Sequence, residues 1–275
     1  MPILSKDTTL CISLAGRPSN LGTRVHNVLY EELGLDFVYK AFTTDDLEGA
    51  VRGVRALGIR GCSVSMPFKS AILPFVDEVE PSAAAIDAAN TVVNDGGRLT
   101  AANTDVEAVE ELLQRAAVPR DSRVLLRGSG GMAAAVIAAF RRAGFPDLTL
   151  TARNAATGKA LAERFTTGFL PEPVAGYDLL VNVTPLGMAG PDADELAFPE
   201  AAIRSATRIF DVVALPVETP LVRTARAAGI PVLTGAEVHA LQAARQFERY
   251  TGVALTRDQV DRASAFSRSE ERMRY

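Results

Sequence analysis

A chain of 275 residues, 48% hydrophobic and 23% charged, has a folded protein's composition and length enough for two cores, which excludes a disordered chain. Its formal net charge is −4 and its basic residues are scattered, which argues against a nucleic-acid or anionic-membrane partner. Cys11, Cys62, His26 and His239 are the only cysteines and histidines; they stand at no metal-ligand spacing, so neither a metal nor a disulfide framework is expected.

No apolar run approaches the roughly 18–20 residues of a membrane span. The first seven residues lack a cationic stretch leading into an apolar one, so the cytoplasm is the expected compartment. A short basic tail (Arg268, Arg272, Arg274) reads as a solvated helix end.

In chain order, short apolar runs alternate with helical stretches, the pattern of a parallel α/β protein. Residues 10–15 read as a strand, 21–32 as a helix and 37–41 as a strand. A helix over 44–57 opens on a Thr-Thr-Asp-Asp cap. The strand over 60–65 runs into Met66-Pro67, with the proline suited to a first helical turn. Strands over 91–94 and 99–102 flank Asp95-Gly96-Gly97, a hairpin signal. A helix over 104–117 precedes a polar run, Val118 to Ser122, that reads as a linker. The alternation then restarts, with strands at 124–126, 148–152, 178–183, 209–213 and 230–233. Helices at 130–143, 155–165 and 219–228 lie between them, and two more follow residue 236, broken near Thr251-Gly252.

The most informative segment is Val124-Leu125-Leu126-Arg127-Gly128-Ser129-Gly130-Gly131-Met132-Ala133. It sets G-x-G-x-x-A between a strand and a helix. Gly128 permits a tight turn, Gly130 lets backbone approach a pyrophosphate, and Ala133 lets the helix pack closely on the strand. Such a turn can be purely structural; its place inside a βαβ unit makes it a dinucleotide site. The next strand ends Thr151-Ala152-Arg153-Asn154, with no acid at its tip. Arg153 stands where a planar fork can grip a 2′-phosphate, which points to NADP over NAD. Lys159 is either an electrostatic helper or a solvated lysine.

Further motifs surround this turn: Gly61-Cys62-Ser63-Val64-Ser65-Met66-Pro67-Phe68-Lys69, Ala89-Asn90-Thr91-Val92, Asn103-Thr104-Asp105, Asn182-Val183-Thr184-Pro185-Leu186-Gly187-Met188, Thr219-Pro220-Leu221, and Gln242-Ala243 after Gly235. In order and spacing, along nearly the whole chain, they resemble the shikimate dehydrogenase family, closest to its divergent shikimate dehydrogenase-like branch. The resemblance implies an α/β fold of two lobes. One is an N-terminal substrate domain over residues 1–106, joined by C-terminal helices 237–275; the other is a Rossmann-type NADP domain over 107–236. It implies Lys69 and Asp105 as the catalytic pair. Substrate contacts fall to Asn20, Gly22, Ser65, Asn90 and Gln242. Cofactor contacts fall to Gly128, Ser129, Gly130, Gly131, Met132, Ala133, Arg153, Thr184, Val213 and Gly235. The implied reaction moves a hydride between NADP and a secondary alcohol carbon while lysine and carboxylate handle the proton. The partner is then a small cyclic hydroxy acid, and the protein a monomer or homodimer.

Read alone, Lys69 is a helix-start lysine, Asp105 a helix N-terminal acid, Asn90 a turn residue and Gln242 a surface amide. His26 reads as a structural hydrogen-bonding residue, and Met188 as either a pocket or a packing residue. The chain departs from the family pattern where two serines precede the histidine. Here Asn20 and Gly22 stand at those places, with Ser19, Thr23 and Arg24 as neighbouring substitutes. Ala214 replaces a usual tyrosine, Ser63 an asparagine and Ser65 a threonine. These changes predict weak turnover of shikimate, with quinate and NAD, or an NADP-binding regulator without catalysis, as alternatives. A folate-linked methylene dehydrogenase shares the two-lobe layout but not the Asn-Thr-Asp and Gln242 matches.

Overall fold

The computed structural model describes residues 4–269; Arg272 and Arg274 lie outside them. The chain runs β1 (Thr9–Leu14), α1 (Asn20–Glu32), β2 (Phe37–Phe42), α2 (Leu47–Ala56), β3 (Gly61–Val64), α3 (Phe68–Ala71), β4 (Glu78–Val79), α4 (Pro81–Ala84), β5 (Thr91–Asp95) and β6 (Arg98–Ala102). It continues through α5 (Thr104–Arg115), β7 (Val124–Arg127), α6 (Gly131–Arg142), β8 (Leu148–Thr151), α7 (Ala155–Arg164), β9 (Gly168–Leu170), β10 (Leu179–Asn182), α8 (Glu200–Ser205), β11 (Arg208–Asp211), α9 (Pro220–Ala227) and β12 (Val232–Thr234). Two helices close it, α10 (Gly235–Thr251) and α11 (Arg257–Arg268). The short elements α3, α4, α8, β4 and β9 have too few residues to show a period, and the sequence pattern does not reveal them.

The fold is mixed α/β in two compact units, residues 1–104 with 240–275 and residues 105–239. The first unit holds a six-stranded sheet in the order β2-β1-β3-β5-β6-β4. β1 runs parallel to both β2 and β3, and β5 is antiparallel to β3 and β6. Alternation along β1 explains its burial on both faces. Ile12 and Leu14 join Val51, Val54 and Cys62 in one core, while Cys11 joins Val25, Leu29, Tyr30, Phe247 and Tyr250 in another.

The second unit is a sheet of six parallel strands, β12-β11-β10-β7-β8-β9. The chain goes outward from β7 through β8 to β9, then returns beside β7 as β10, which puts the topological switch point at the β7–β10 boundary. On one face Leu125, Leu180, Phe198, Ile203, Ile209 and Leu221 form the core. Ala133 through Phe140, eight successive buried residues of α6, reflect a helix pressed onto a sheet by small side chains.

Local chemistry sets the element ends. Asp46 caps α2 by accepting from Gly49 N at 2.8 Å, so this helix starts at Leu47 and not at Thr44, whose hydroxyl accepts from Asp46 N. Thr219 caps α9 ahead of Pro220, and Thr256 with Gln259 forms a capping box on α11. The polar run from Val118 to Ser122, expected as a linker, is a turn inside the second unit. Val118 N donates to Leu113 O, and Ser122 donates to Pro119 O through both N and Oγ. The units divide instead between Thr104 and Asp105. Among the described residues no helix is long and apolar enough to cross a membrane.

His26 differs from expectation. Neither ring nitrogen has a hydrogen-bond partner; the ring stacks on Tyr39 at 4.4 Å and 8°, with Phe247 and Tyr250 at 6.1 and 5.6 Å. It is an aromatic packing piece. Burial drives its pKa down to about 3, outweighing the opposing influence of nearby Gln246. The unfolded chain, titrating near 6.5, therefore binds the proton more readily. Stability from this residue is complete above about pH 6.5 and is lost as pH falls toward 3. Urea unfolding at pH 7 and pH 5 should show the wild type losing about 2 kcal/mol more than His26→Phe between the two; equal losses would contradict this.

Candidate functional site

In the second unit, the C-terminal strand tips around the switch point enclose a cavity of about 260 Å³. Its wall includes Gly128, Ser129 and Gly130 from the turn after β7, Arg153 and Asn154 after β8, and Thr184 after β10. Gly128 has φ +133°, and a Cβ there would meet a Val183 methyl at 2.7 Å, so only glycine fits. Around Gly130 and Gly131 a Cβ would meet nothing within 4 Å, which leaves bare backbone facing open space. α6 begins there, and its Gly130 cap carries no side chain. Ala133 N and Ala134 N already donate to Gly130 O. The amides that the helix leaves to an anion are thus those of Gly131 and Met132, and Ala133, fully buried, serves packing.

Arg153 is exposed at the rim and has no hydrogen-bond or ion-pair partner among the described residues. Asn154 caps α7 by accepting from Ala156 N and Thr157 N. Ser129 Oγ and Thr157 Oγ1 lie 2.8 Å apart, which straps the glycine turn to the first turn of α7. Lys159 is exposed.

The wall beyond β10 is organised by a buried carboxylate. Asp211 accepts from Thr219 Oγ1 at 2.5 Å, Asn182 Nδ2 at 3.0 Å and Val213 N at 3.1 Å. Burial raises its pKa, against the pull of those three donors. Asn182 in turn accepts from Thr184 N and Thr184 Oγ1, so the Thr184 hydroxyl serves the loop itself. Gly235 is pinned against this wall, since a Cβ there would lie 2.1 Å from Val212 O. Ala214 is half-buried, and Met188 is 46% exposed. Chemically the cavity suits the phosphate groups of a dinucleotide, with bare amides for a pyrophosphate and an uncommitted guanidinium.

In the first unit the tips of β1 and β3 bring two predicted segments together. Gly16 N donates to Met66 O and Ser65 N to Leu14 O, so the chain leading to Asn20 and Gly22 lies beside the turn carrying Ser65 and Lys69. Lys69 O accepts from Ala89 N, joining that turn to Asn90. Asn90, in the bend before β5, is 3% exposed. Its Oδ1 accepts from Thr91 Oγ1, Thr104 N and Thr104 Oγ1 at 2.8, 2.8 and 3.0 Å. That fixes the amide orientation and leaves Nδ2 as the group on offer. Gln242 is half-buried, with Nε2 donating to Thr104 Oγ1 at 3.4 Å. Asp105 directly follows Thr104 in the first turn of α5.

Sequence reasoning missed Gln246, one helical turn beyond Gln242. It donates to Asn90 O and Thr91 Oγ1 and accepts from Ser63 Oγ, all at 3.0 Å. Its i,i+4 spacing from Gln242 was the available signal. Arg127 and Asp192, also lining the cavity, were missed as well. Among the suggested substitutes near Gly22, Arg24 is engaged elsewhere: it donates to Ser269 O at 2.6 Å and stacks on Phe266. Thr23 Oγ1 is buried without a partner, whereas Ser19 stays exposed. No cluster of metal-ligating side chains occurs among the described residues.

Comparison with known proteins follows the same geography. Residues 19–92 match the shikimate dehydrogenase substrate binding domain. A shikimate dehydrogenase-like protein of Haemophilus influenzae is 50% identical over 270 residues, covering 98% of this chain and 100% of that one. A shikimate dehydrogenase (NADP(+)) of Chlorobaculum tepidum is 36% identical, covering 90% and 92%. Among solved structures, a Thermus thermophilus shikimate 5-dehydrogenase in complex with NADP(H) and shikimate superposes with TM-score 0.81 at 33% identity, over 94% of this chain and all of that one. A Corynebacterium glutamicum quinate dehydrogenase in complex with NAD gives TM-score 0.86 at 26% identity, over 94% and 98%.

Asp211→Ala would orphan three buried donors at once. We expect it to cost about 3 kcal/mol or more in urea unfolding; a loss under about 1 kcal/mol would show that the loops hold without this hub.

Proposed function

The chain belongs to the shikimate dehydrogenase family, a family of oxidoreductases, and on that premise we propose that it interconverts shikimate, or a related cyclic hydroxy acid, with its 3-dehydro ketone using NADP. The observation that carries the cofactor is the uncommitted Arg153 on the rim of a cavity whose floor is bare glycine backbone. Gly128, Ser129, Gly130, Gly131 and Met132 hold the pyrophosphate, Arg153 takes the 2′-phosphate, and Val213 and Gly235 border the nicotinamide half. When bound, NADP supplies or accepts the hydride at C4 of its nicotinamide.

The rest of the chemistry belongs to side chains. Lys69 Nζ gives a proton to the carbonyl oxygen in reduction and receives it from the hydroxyl in oxidation, with Asp105 orienting the ammonium and sharing the proton. Asn90 Nδ2 donates to a ring hydroxyl while Gln242 Oε1 accepts from one, so the pair distinguishes the two ends of an O–H group. Ser65, exposed at the end of β3, adds a hydroxyl to the same wall.

The acid end is held weakly. Asn20 and Ser19 are the polar groups at the start of α1, and Gly22 offers only backbone. Each missing partner of a buried carboxylate costs about 1–3 kcal/mol, so shikimate turns over poorly and a relative with a differently placed acid turns over better. A Cβ on Gly22 would sit 3.4 Å from Tyr39 Oη, an ordinary contact. Gly22→Ser is therefore accommodated, and it should raise kcat/KM for shikimate about tenfold, chiefly through KM; an unchanged KM would contradict this account of the grip.

Lys69→Ala should lower kcat by about 10²–10⁴-fold while NADPH binding, followed by fluorescence titration, is unchanged. Full turnover in that variant would remove Lys69 from the chemistry. Loss of the pair would leave only a dinucleotide-binding protein, the second reading, and the retention of both Lys69 and Asp105 favours the enzyme.

A further inference from the structure

The wall beyond β10 holds a buried charge that the proposed chemistry leaves unused. Asp211 is 0% exposed. Both its oxygens accept hydrogen bonds, Oδ1 from Asn182 Nδ2 and Val213 N and Oδ2 from Thr219 Oγ1. With both oxygens accepting, the group is a carboxylate and not the neutral acid. Among the described residues no lysine, arginine or histidine forms an ion pair with it; burial and the three hydrogen bonds are what act on it. Those hydrogen bonds do not require the charge. An asparagine in its place would accept from Asn182 and Val213 through Oδ1 and donate to Thr219 Oγ1 through Nδ2. It would do so without taking an anion out of water.

The place of the charge in the sheet gives it a use. Asp211 ends β11, and its register partners Asn182 and Thr234 end β10 and β12. The three make a row along the C-terminal edge of the strands on that side of the switch point. The carboxylate turns toward the loop that follows, since it accepts from Val213 N, and Gly235 closes on the same loop at Val212 O. On the dinucleotide reading proposed above, the glycine turn takes the pyrophosphate and the tip of β8 the ribose with its 2′-phosphate. The nicotinamide end then falls to the other half of the sheet, the half whose edge carries Asp211.

Loss of a hydride takes one proton and two electrons from the neutral dihydronicotinamide and leaves the ring a pyridinium cation. A fixed, desolvated carboxylate in the wall favours the charged ring over the neutral one. We infer that Asp211 sets the preference of this site for the oxidised dinucleotide, acting through its charge across the wall and not by contact.

Calorimetric titration of the full chain with NADP⁺ and with NADPH reads that preference as a ratio of two affinities. Asp211→Asn should weaken NADP⁺ about tenfold and leave NADPH within about twofold of the wild type. Thr219→Val loosens the same hub and keeps the charge, so it should leave the ratio at its wild-type value, because disturbed loops affect both forms alike. An unchanged ratio in Asp211→Asn overturns the inference. An equal shift of the ratio in Thr219→Val overturns it too, since the effect would then be one of loop geometry. The wild type tests it without any substitution: NADP⁺ should bind at least as tightly as NADPH. A preference for NADPH of about tenfold or more would overturn the inference even if neither variant folds. Failure of the wild type to bind either form would instead remove the dinucleotide reading on which the inference rests.

Discussion

At the tip of β7 the backbone turns at φ +133°, and a Cβ on Gly128 would press within 2.7 Å of a Val183 methyl and 3.0 Å of its carbonyl oxygen. The rest of the second unit is arranged around that bare turn. α6 can start immediately after it because Gly130 and Gly131 block nothing, and the small residues that follow let the helix lie flat on the sheet. On the far side of the switch point, Asp211 gathers Asn182, Val213 and Thr219, so that two loops meet at a fixed distance and Gly235 closes against Val212. A cavity for an extended, phosphorylated ligand results from leaving side chains out and holding its walls with buried hydrogen bonds.

The first unit uses the opposite device. Around Asn90 its polar residues are crowded together: Asn90, Thr91, Thr104, Gln246 and Ser63 bond to one another, with Tyr250 Oη 3.0 Å from Ser63 Oγ. A satisfied network of this kind rigidifies its members. It turns Asn90 and Gln242 into oriented groups, one offering a donor and the other an acceptor. In the function we propose, specificity depends on positions outside the network, at Asn20 and Gly22.

Much of this was legible in the residues. The alternation of strand and helix and the glycine turn are local features, and local features survive in sequence. Asn90 and Gln242 came only through family resemblance, because their partners lie 14 and 138 residues away in Thr104. Gln246 escaped for the same reason, and Arg127 because a strand residue's role depends on which loop its side chain meets. His26 misled: a histidine in a polar-looking helix is in fact stacked among tyrosines whose approach only the tertiary structure determines. The polar run from Val118 to Ser122 misled in the other direction, since turn chemistry looks alike within a unit and between units.

The central claim is hydride transfer from NADP to a ring ketone in this protein. It is tested most directly by a single-turnover experiment with NADPH carrying deuterium at C4 on the transferring face and 3-dehydroshikimate as acceptor, read by mass spectrometry of the product. The account predicts slow appearance of shikimate with one deuterium on the newly formed carbinol carbon. No consumption of NADPH and no labelled product from 3-dehydroshikimate or any related cyclic keto acid, with the dinucleotide demonstrably bound, would contradict it and leave a binding protein in place of an enzyme.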